Sequence, residues 1–82
     1  MSKDEIFARV IEVISESFGL EPSQIRPDSH LFRELDLDSI DAIDLVVGLE
    51  EETGLDVKEE ELKAIRIVQD VVDLVHRKLE ER

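Results

Sequence analysis

The sequence contains no cysteine, so disulfide bonds and thiolate metal sites are both excluded. Aromatic side chains are few, with three phenylalanines and neither tryptophan nor tyrosine. A fold of 82 residues must therefore rest on apolar packing around one modest core. A chain of this size has little room for a large enclosed active site, which favours a carrier, adaptor or binding module over an enzyme.

Long apolar runs are also absent. No segment approaches the roughly 18 consecutive apolar residues that predict a membrane-spanning helix. The first five residues lack the basic and apolar regions of a signal peptide. We therefore expect a cytoplasmic protein that does not enter a membrane.

Basic residues are scarce, since 22 Asp and Glu face 10 Lys and Arg for a formal net charge of -12. Such a charge repels nucleic acid and anionic membranes, because both are bound through Lys and Arg. The imbalance is local, with twelve acidic side chains in residues 34–61 and one basic side chain, Lys58. This concentration favours partner proteins with basic patches, whereas a charge that only maintains solubility need not be local.

Two helices are predicted in the first two thirds of the chain. Apolar residues at helical spacing predict a helix over residues 3–18, and Gly19 suits its C-terminal end. A second helix is predicted over residues 39–53, between the N-cap residue Asp38 and Gly54. Ser2 with Glu5 forms a capping box before the first helix, so both ends of each helix are marked by residues that cap helices well.

The rest of the chain predicts two more helices and a long connection. A short helix is expected over residues 59–64 and a longer one over residues 67–80, with Lys78 and Arg82 at its negative end. The connection over residues 20–38 holds both prolines, but apolar residues spaced along it would anchor it to the core: Leu20, Ile25, Leu31, Phe32, Leu35 and Leu37. The expected fold is all-α, a small four-helix bundle of three longer helices and one short helix with an ordered loop between helices 1 and 2.

The second helix has two apolar faces. One face suffices for the core and comprises Ala42, Leu45, Val46 and Leu49. The other comprises Ile40, Ile43 and Val47, and acidic residues cover the remaining arc. Either both faces are buried, or the second face is partly exposed and forms an apolar docking site ringed by acids.

Ser39 lies where the long connection meets the second helix, directly after Asp38. As a hydrolase nucleophile it would need a base and oxyanion donors, but the chain offers only His30 and His76 and no Gly-x-Ser-x-Gly motif. Both histidines are instead expected at the surface or in caps. The residues alone leave two alternatives for Ser39: a cap or first-turn residue, or an exposed modification site whose phosphodiester faces a helix N-terminus.

Residues 35–41, which read Leu-Asp-Leu-Asp-Ser-Ile-Asp, begin a region that resembles the phosphopantetheine site and second helix of acyl carrier proteins. The resemblance continues through residues 44–46 and 49–52 and extends over the whole chain. Two departures are Asp36, where many members of the family have glycine, and Ile40, where many have leucine. The Asp36 departure leaves open whether this is a housekeeping fatty-acid carrier or a specialised one.

The resemblance implies a carrier rather than an enzyme. Ser39 would take 4'-phosphopantetheine from coenzyme A through a separate phosphopantetheinyl transferase, with Asp38 serving in recognition and capping. The arm would present acyl thioesters to acyl synthases and acyltransferases with basic patches, in a fatty-acid, polyketide or related lipid pathway. We expect a monomer with a single acyl-carrier domain over residues 1–82, and the positions that would face partners are Ile40, Asp41, Asp44, Val47, Glu50 and Glu51.

Two alternatives leave Ser39 unmodified. A calcium-binding EF-hand loop beginning at Asp36 would need glycine at its sixth position and glutamate at its twelfth, but Asp41 and Val47 occupy these positions. A divalent-metal-binding module would therefore have to use the acidic residues in another arrangement. An acidic helical adaptor would bind a basic groove with the same second helix.

Overall fold

The computed structural model describes residues 2–81, which fold into four α-helices. In chain order these are α1 (Lys3–Phe18), α2 (Ser39–Thr53), α3 (Glu59–Leu62) and α4 (Val68–Glu80). One turn of 3-10 helix, Pro22–Gln24, lies in the long connection after α1. The predicted all-α class, with three longer helices and one short helix, is confirmed.

Two helix boundaries differ slightly from the prediction. α3 is shorter than expected, and α4 begins one residue later because Ile67 is its N-cap residue. The Asp70 carboxylate accepts hydrogen bonds from the amides of Arg66 and Ile67 at 3.0 and 3.1 Å, which fixes the start of α4. The predicted position of Arg82 at the end of this helix lies outside the described residues.

The core lies where α1, α2 and α4 meet. α1 and α4 each bury a face of aliphatic side chains at helical spacing, and α2 buries the face that contains Leu45, Val46 and Leu49. Val10, Ile14 and Val68 are completely buried. Because so many core residues are β-branched and have modest helix propensity, tertiary packing supplies most of the stability of these helices. No helix within residues 2–81 is long and apolar enough to cross a membrane.

The long loop between α1 and α2 is ordered by side chains and by backbone hydrogen bonds. Ile25, Leu31, Leu35 and Leu37 are buried as predicted, but Phe32 is 37% exposed and does not anchor the loop. The Leu31 amide donates to the Arg66 carbonyl at 2.9 Å, and the Val68 amide donates to the carbonyl of the buried Ser29 at 3.0 Å. These bonds hold the loop against the start of α4.

The loop turns sharply at Asp36, the one residue other than glycine with a positive φ (57°) within residues 2–81. A side chain is strained in this left-handed conformation, although aspartate tolerates it better than most residues do. Leu35 and Leu37 are both buried, so the turn is held between two core anchors. Glycine is the residue that this backbone geometry prefers.

Asp36→Gly is expected to raise the free energy of unfolding by up to about 1 kcal/mol, because it relieves the left-handed strain. Asp36→Val should lower it by roughly 1–2 kcal/mol, because a β-branched side chain fits this conformation poorly. Urea unfolding followed by circular dichroism measures both changes. Asp56→Gly is the matched control, since it removes the same charge at an exposed position where φ is not positive. Equal stabilisation by both glycine substitutions would assign the effect to charge.

Glu61 fastens the short helix α3 to α4. Its two carboxylate oxygens accept hydrogen bonds from Lys78 Nζ and from the Arg77 guanidinium, each at 2.7 Å, and the Lys58 amide donates to it at 3.0 Å. The Lys78 hydrogen bond, followed by the Lys58 amide and the two positive charges, lowers the pKa of Glu61 to about 2. A helix of four residues has little stability of its own, so this cluster holds α3 in place.

Glu61→Gln is expected to lower the melting temperature by a few degrees at neutral pH and to have no effect in strong acid. The lowered pKa means that the carboxylate stabilises the fold fully above its ordinary value of 4.5, and that this contribution is lost as the pH falls to about 2. Thermal unfolding of both proteins between pH 7 and about pH 2 measures the difference. Glu60→Gln, an exposed neighbour on the same helix, is the control. A melting difference that did not change with pH would contradict the ion-pair explanation.

Candidate functional site at the start of helix α2

Ser39 is the first residue of α2, and its side chain is exposed. The cap of the helix is made by its neighbours: Asp38 Oδ1 accepts from the Asp41 amide at 2.9 Å, and Asp41 Oδ2 accepts from the Asp38 amide at 3.1 Å. This reciprocal pair is a capping box built from two aspartates. Within residues 2–81 the Ser39 hydroxyl has no hydrogen-bond partner, so the capping function belongs to Asp38 and not to Ser39.

Neither histidine forms a catalytic pair with Ser39. His30 Nδ1 accepts hydrogen bonds from the amides of Phe32 and Arg33, both at 3.2 Å, so this ring caps a turn of the loop. His76 Nδ1 lies 2.8 Å from the Glu80 carboxylate on α4. The expectation of surface or capping histidines is confirmed, and the arrangement does not provide the base that a serine nucleophile needs.

The second apolar face of α2 is exposed. Ile40, Ile43 and Val47 are 67%, 50% and 44% exposed, and they stand beside the exposed carboxylates of Asp44 and Glu51. Of the two alternatives left by the sequence, the structure therefore has the apolar stripe open to solvent. An apolar stripe bordered by acids is typical of a surface that binds another protein. Ile43 is part of this exposed surface, although it was not among the predicted partner-facing positions. Its helical spacing from Ile40 and Val47 was the signal in the sequence that could have identified it.

Two of the predicted partner-facing residues have contacts within the chain. Asp41 is half-buried and completes the cap of α2, and the half-buried Glu50 accepts a hydrogen bond from the Val57 amide at 2.9 Å. Glu50 thereby holds the connection between α2 and α3. The other four, Ile40, Asp44, Val47 and Glu51, are exposed.

An open cleft of about 840 Å³ lies beside Ser39, between α2, α3 and the long loop. Its floor includes Ala42, Ile43, Leu62 and Ile65. This volume lies in the range of roughly 300–1,000 Å³ that is usual for small-molecule sites. Residues of α2 thus border a space large enough for an apolar ligand.

The acidic residues do not gather into a metal site. Within residues 2–81 no group of three or more His, Asp or Glu side chains is arranged to hold a metal ion. Of the acidic side chains of α2, Asp41 and Glu50 accept hydrogen bonds from backbone amides, Glu52 pairs with Arg9 of α1, and Asp44 and Glu51 are exposed. The geometry thus supplies an exposed hydroxyl at the start of α2, a neighbouring cleft and an acidic face on the same helix.

The sequence model of the family described as "Phosphopantetheine attachment site" matches residues 8–75. The matched region runs from α1 into α4 and includes Ser39. The chain belongs to this family. Members of the family carry covalently attached 4'-phosphopantetheine, and the resemblance stated from residues 35–41 is confirmed.

Several relatives match nearly the whole of this chain. Acyl carrier protein 2 of Ralstonia nicotianae is 47% identical over 75 residues, which cover 92% of this chain and 93% of that protein. The meromycolate extension acyl carrier protein of Mycobacterium leprae is 37% identical over 81 residues, or 99% of this chain and 70% of that protein. A crystal structure of an acyl carrier protein from Thermotoga maritima superimposes with a TM-score of 0.86 at 40% identity, covering 99% of this chain and 94% of that one.

These relatives confirm the function predicted from the sequence. The chain is a carrier of acyl groups and not a catalyst, and the family to which it belongs works with phosphopantetheinyl transferases and acyl synthases. The carrier function is favoured over both the helical adaptor and the metal-binding module. The exposed Ser39 hydroxyl beside the cleft fits the chemistry of a covalently attached arm.

Proposed function

We propose that Ser39 is the attachment position of 4'-phosphopantetheine in this chain, which works as a free-standing acyl carrier of one domain over residues 1–82. The observation that carries this assignment is the exposed Ser39 hydroxyl, which makes no hydrogen bond within residues 2–81 although it begins a helix. Because Asp38 and Asp41 complete the cap, modification of Ser39 costs the fold no internal contact.

The start of α2 explains how the arm is tolerated yet left mobile. Attachment converts the Ser39 hydroxyl into a phosphodiester, whose negative charge is favoured by the positive end of the helix. The carboxylates of Asp38 and Asp41 already occupy the cap and repel the phosphodiester, so they keep it outside the first turn. The covalent bond alone then holds the arm, which suits a tether that must reach several partners.

When attached, the arm supplies the thiol on which acyl groups are held as thioesters. The chain's own residues hold the attachment point on a rigid helix and border it with a cleft that can cover an apolar chain. Ala42 and Ile43 on α2 and Leu62 on α3 provide apolar contacts in that cleft. Burial of an acyl chain against them excludes water from it and stabilises the loaded form.

The proposed docking face consists of Ile40, Ile43 and Val47 with Asp44 and Glu51 beside them. We propose that this face binds the transferase, the acyl synthases and the acyltransferases. Each of these partners would contact the apolar stripe and place a basic patch against the surrounding carboxylates. The local concentration of acidic residues around α2 supports this orientation. The proposal also places the chain in the cytoplasm as a monomer, since a net charge of -12 opposes self-association.

Incubation of the purified protein with coenzyme A and a promiscuous phosphopantetheinyl transferase tests the proposal. The intact mass should increase by one phosphopantetheine, and peptide mapping should place the addition on Ser39. An unchanged mass would overturn the proposal. Addition to a different serine would retain the carrier function but overturn the site.

A further inference from the structure

The basic residues of this acidic protein are divided into two groups. Within residues 2–81, five of the Lys and Arg side chains form ion pairs with carboxylates, and four do not. Three of the four unpaired side chains line the cleft beside Ser39: Arg33, Lys63 and Arg66. The fourth, Lys58, lies outside the cleft. Since acidic residues outnumber basic ones by more than two to one, a cleft whose lining carries more cations than carboxylates is a local exception in this protein.

The cations come from two sides of the cleft. Arg33 belongs to the long loop, whereas Lys63 and Arg66 follow α3. All three side chains are exposed, and Phe32 and Ile43 provide the exposed apolar surface among them. The cleft therefore combines an apolar surface with a positive rim.

Two carboxylates that also line the cleft, Glu59 and Asp70, offset part of this charge but leave the cations in excess. The Asp70 carboxylate keeps its charge but accepts hydrogen bonds from the amides of Arg66 and Ile67, and it forms no ion pair with the cations of the cleft. Glu59 is the other carboxylate that lines the cleft. His30 accepts backbone amides at Nδ1, which places its ring proton on Nε2 and leaves it a hydrogen-bond donor. The excess of cationic and hydrogen-bond-donating groups over carboxylates in the cleft favours an anionic ligand.

We propose that this cleft binds an acyl group that ends in a carboxylate, namely a dicarboxylic acid carried as a monothioester on the arm. This inference rests on the proposed attachment of the arm at Ser39, which keeps the cargo at high local concentration beside the cleft. The methylene chain lies against Ile43 and Leu62, and the terminal carboxylate pairs with Lys63 and Arg66. A cargo with a methyl end would leave these cations without a partner.

Loading Ser39 with two matched cargos tests the inference. One is the six-carbon dicarboxylic monothioester, and the other is its methyl ester, which has nearly the same shape without the charge. The rate of thioester cleavage by hydroxylamine measures how well each cargo is covered. We expect the carboxylate cargo to be cleaved about fivefold more slowly than its methyl ester at low salt.

The double variant Lys63→Gln with Arg66→Gln should cleave both cargos at the same rate. Both side chains are exposed, and the Arg66 backbone hydrogen bonds remain, so the fold should be preserved. Lys58→Gln, which removes an unpaired cation outside the cleft, should retain the fivefold difference. Circular dichroism of each variant verifies that folding is unchanged.

Three outcomes overturn the inference in distinguishable ways. Equal cleavage of the two cargos in the unsubstituted protein would show that the cleft does not recognise the carboxylate, while the attached arm would leave the proposed function intact. If the double variant changed the phosphorus resonance of the arm without cargo, the cations would bind the phosphodiester instead. If no arm attached, the mass would reveal this before any cargo was compared, and the proposed function itself would fail.

Discussion

Ser39→Ala is expected to abolish attachment of the phosphopantetheine arm completely, with no increase in intact mass after prolonged incubation with coenzyme A and the transferase. The substitution removes the one oxygen to which the arm is proposed to be joined. Because the Ser39 hydroxyl makes no hydrogen bond within residues 2–81 and Asp38 caps the helix, the free energy of unfolding should change by less than about 0.5 kcal/mol.

Ser23→Ala is the matched control for this experiment. Ser23 is also exposed and also lies in a helical turn, the 3-10 helix Pro22–Gln24. The Ser23→Ala variant should therefore be loaded with the arm to the same extent as the unsubstituted protein. Retention of loading by Ser39→Ala would refute the assignment of the site, and loss of loading by both variants would indicate a general defect.

Charge reversal on the proposed docking face is expected to produce the second largest effect. Asp44→Lys and Glu51→Lys should each reduce kcat/KM of the transferase by about tenfold, because each places a positive charge before a basic partner surface. Both side chains are exposed on α2, and neither forms an ion pair within residues 2–81. The melting temperature should therefore stay within a few degrees of that of the unsubstituted protein. Steady-state loading at several salt concentrations measures the effect, which should shrink as salt rises.

Glu12→Lys provides the comparison for these reversals. Glu12 is an exposed glutamate in the middle of α1, so its reversal changes the net charge by the same amount away from the proposed face. The kcat/KM of the transferase for the Glu12→Lys variant should stay within about twofold of the value for the unsubstituted protein, because the change lies outside the proposed interface. An equal loss for all three variants would mean that the transferase responds to net charge and not to the face on α2.

The longer helices could be predicted from the sequence because their signals are local. Gly19 and Gly54 both adopt the left-handed conformation that ends a helix, and Asp38 caps α2 as expected. The length of α3 was harder to predict from the sequence, because this helix is held by a contact between Glu61 and Lys78, which are far apart in the chain. Phe32 has the same apolar character as the buried loop residues, so its exposure could not be inferred from its type or spacing.

The candidate site also has features that the sequence could predict and features that it could not. Ser39 could be selected from its place at the start of a predicted helix and from the family resemblance, both of which are visible in a few adjacent residues. Burial of one apolar face of α2 and exposure of the other could not be chosen from the sequence, because the two faces have similar composition. The choice depends on where α1 and α4 pack.

Local chemistry in the sequence thus determined the helix ends, the position of Ser39 and the acidic character of residues 34–61. Only the tertiary structure decided which face of α2 is open, that Glu50 contacts the Val57 amide, and that Arg33 shares a cleft with Lys63 and Arg66. Caps act between residues three or four positions apart, so a sequence displays them directly. Burial and charge pairing depend on distances between segments far apart in the chain, and these distances exist only once the helices have packed.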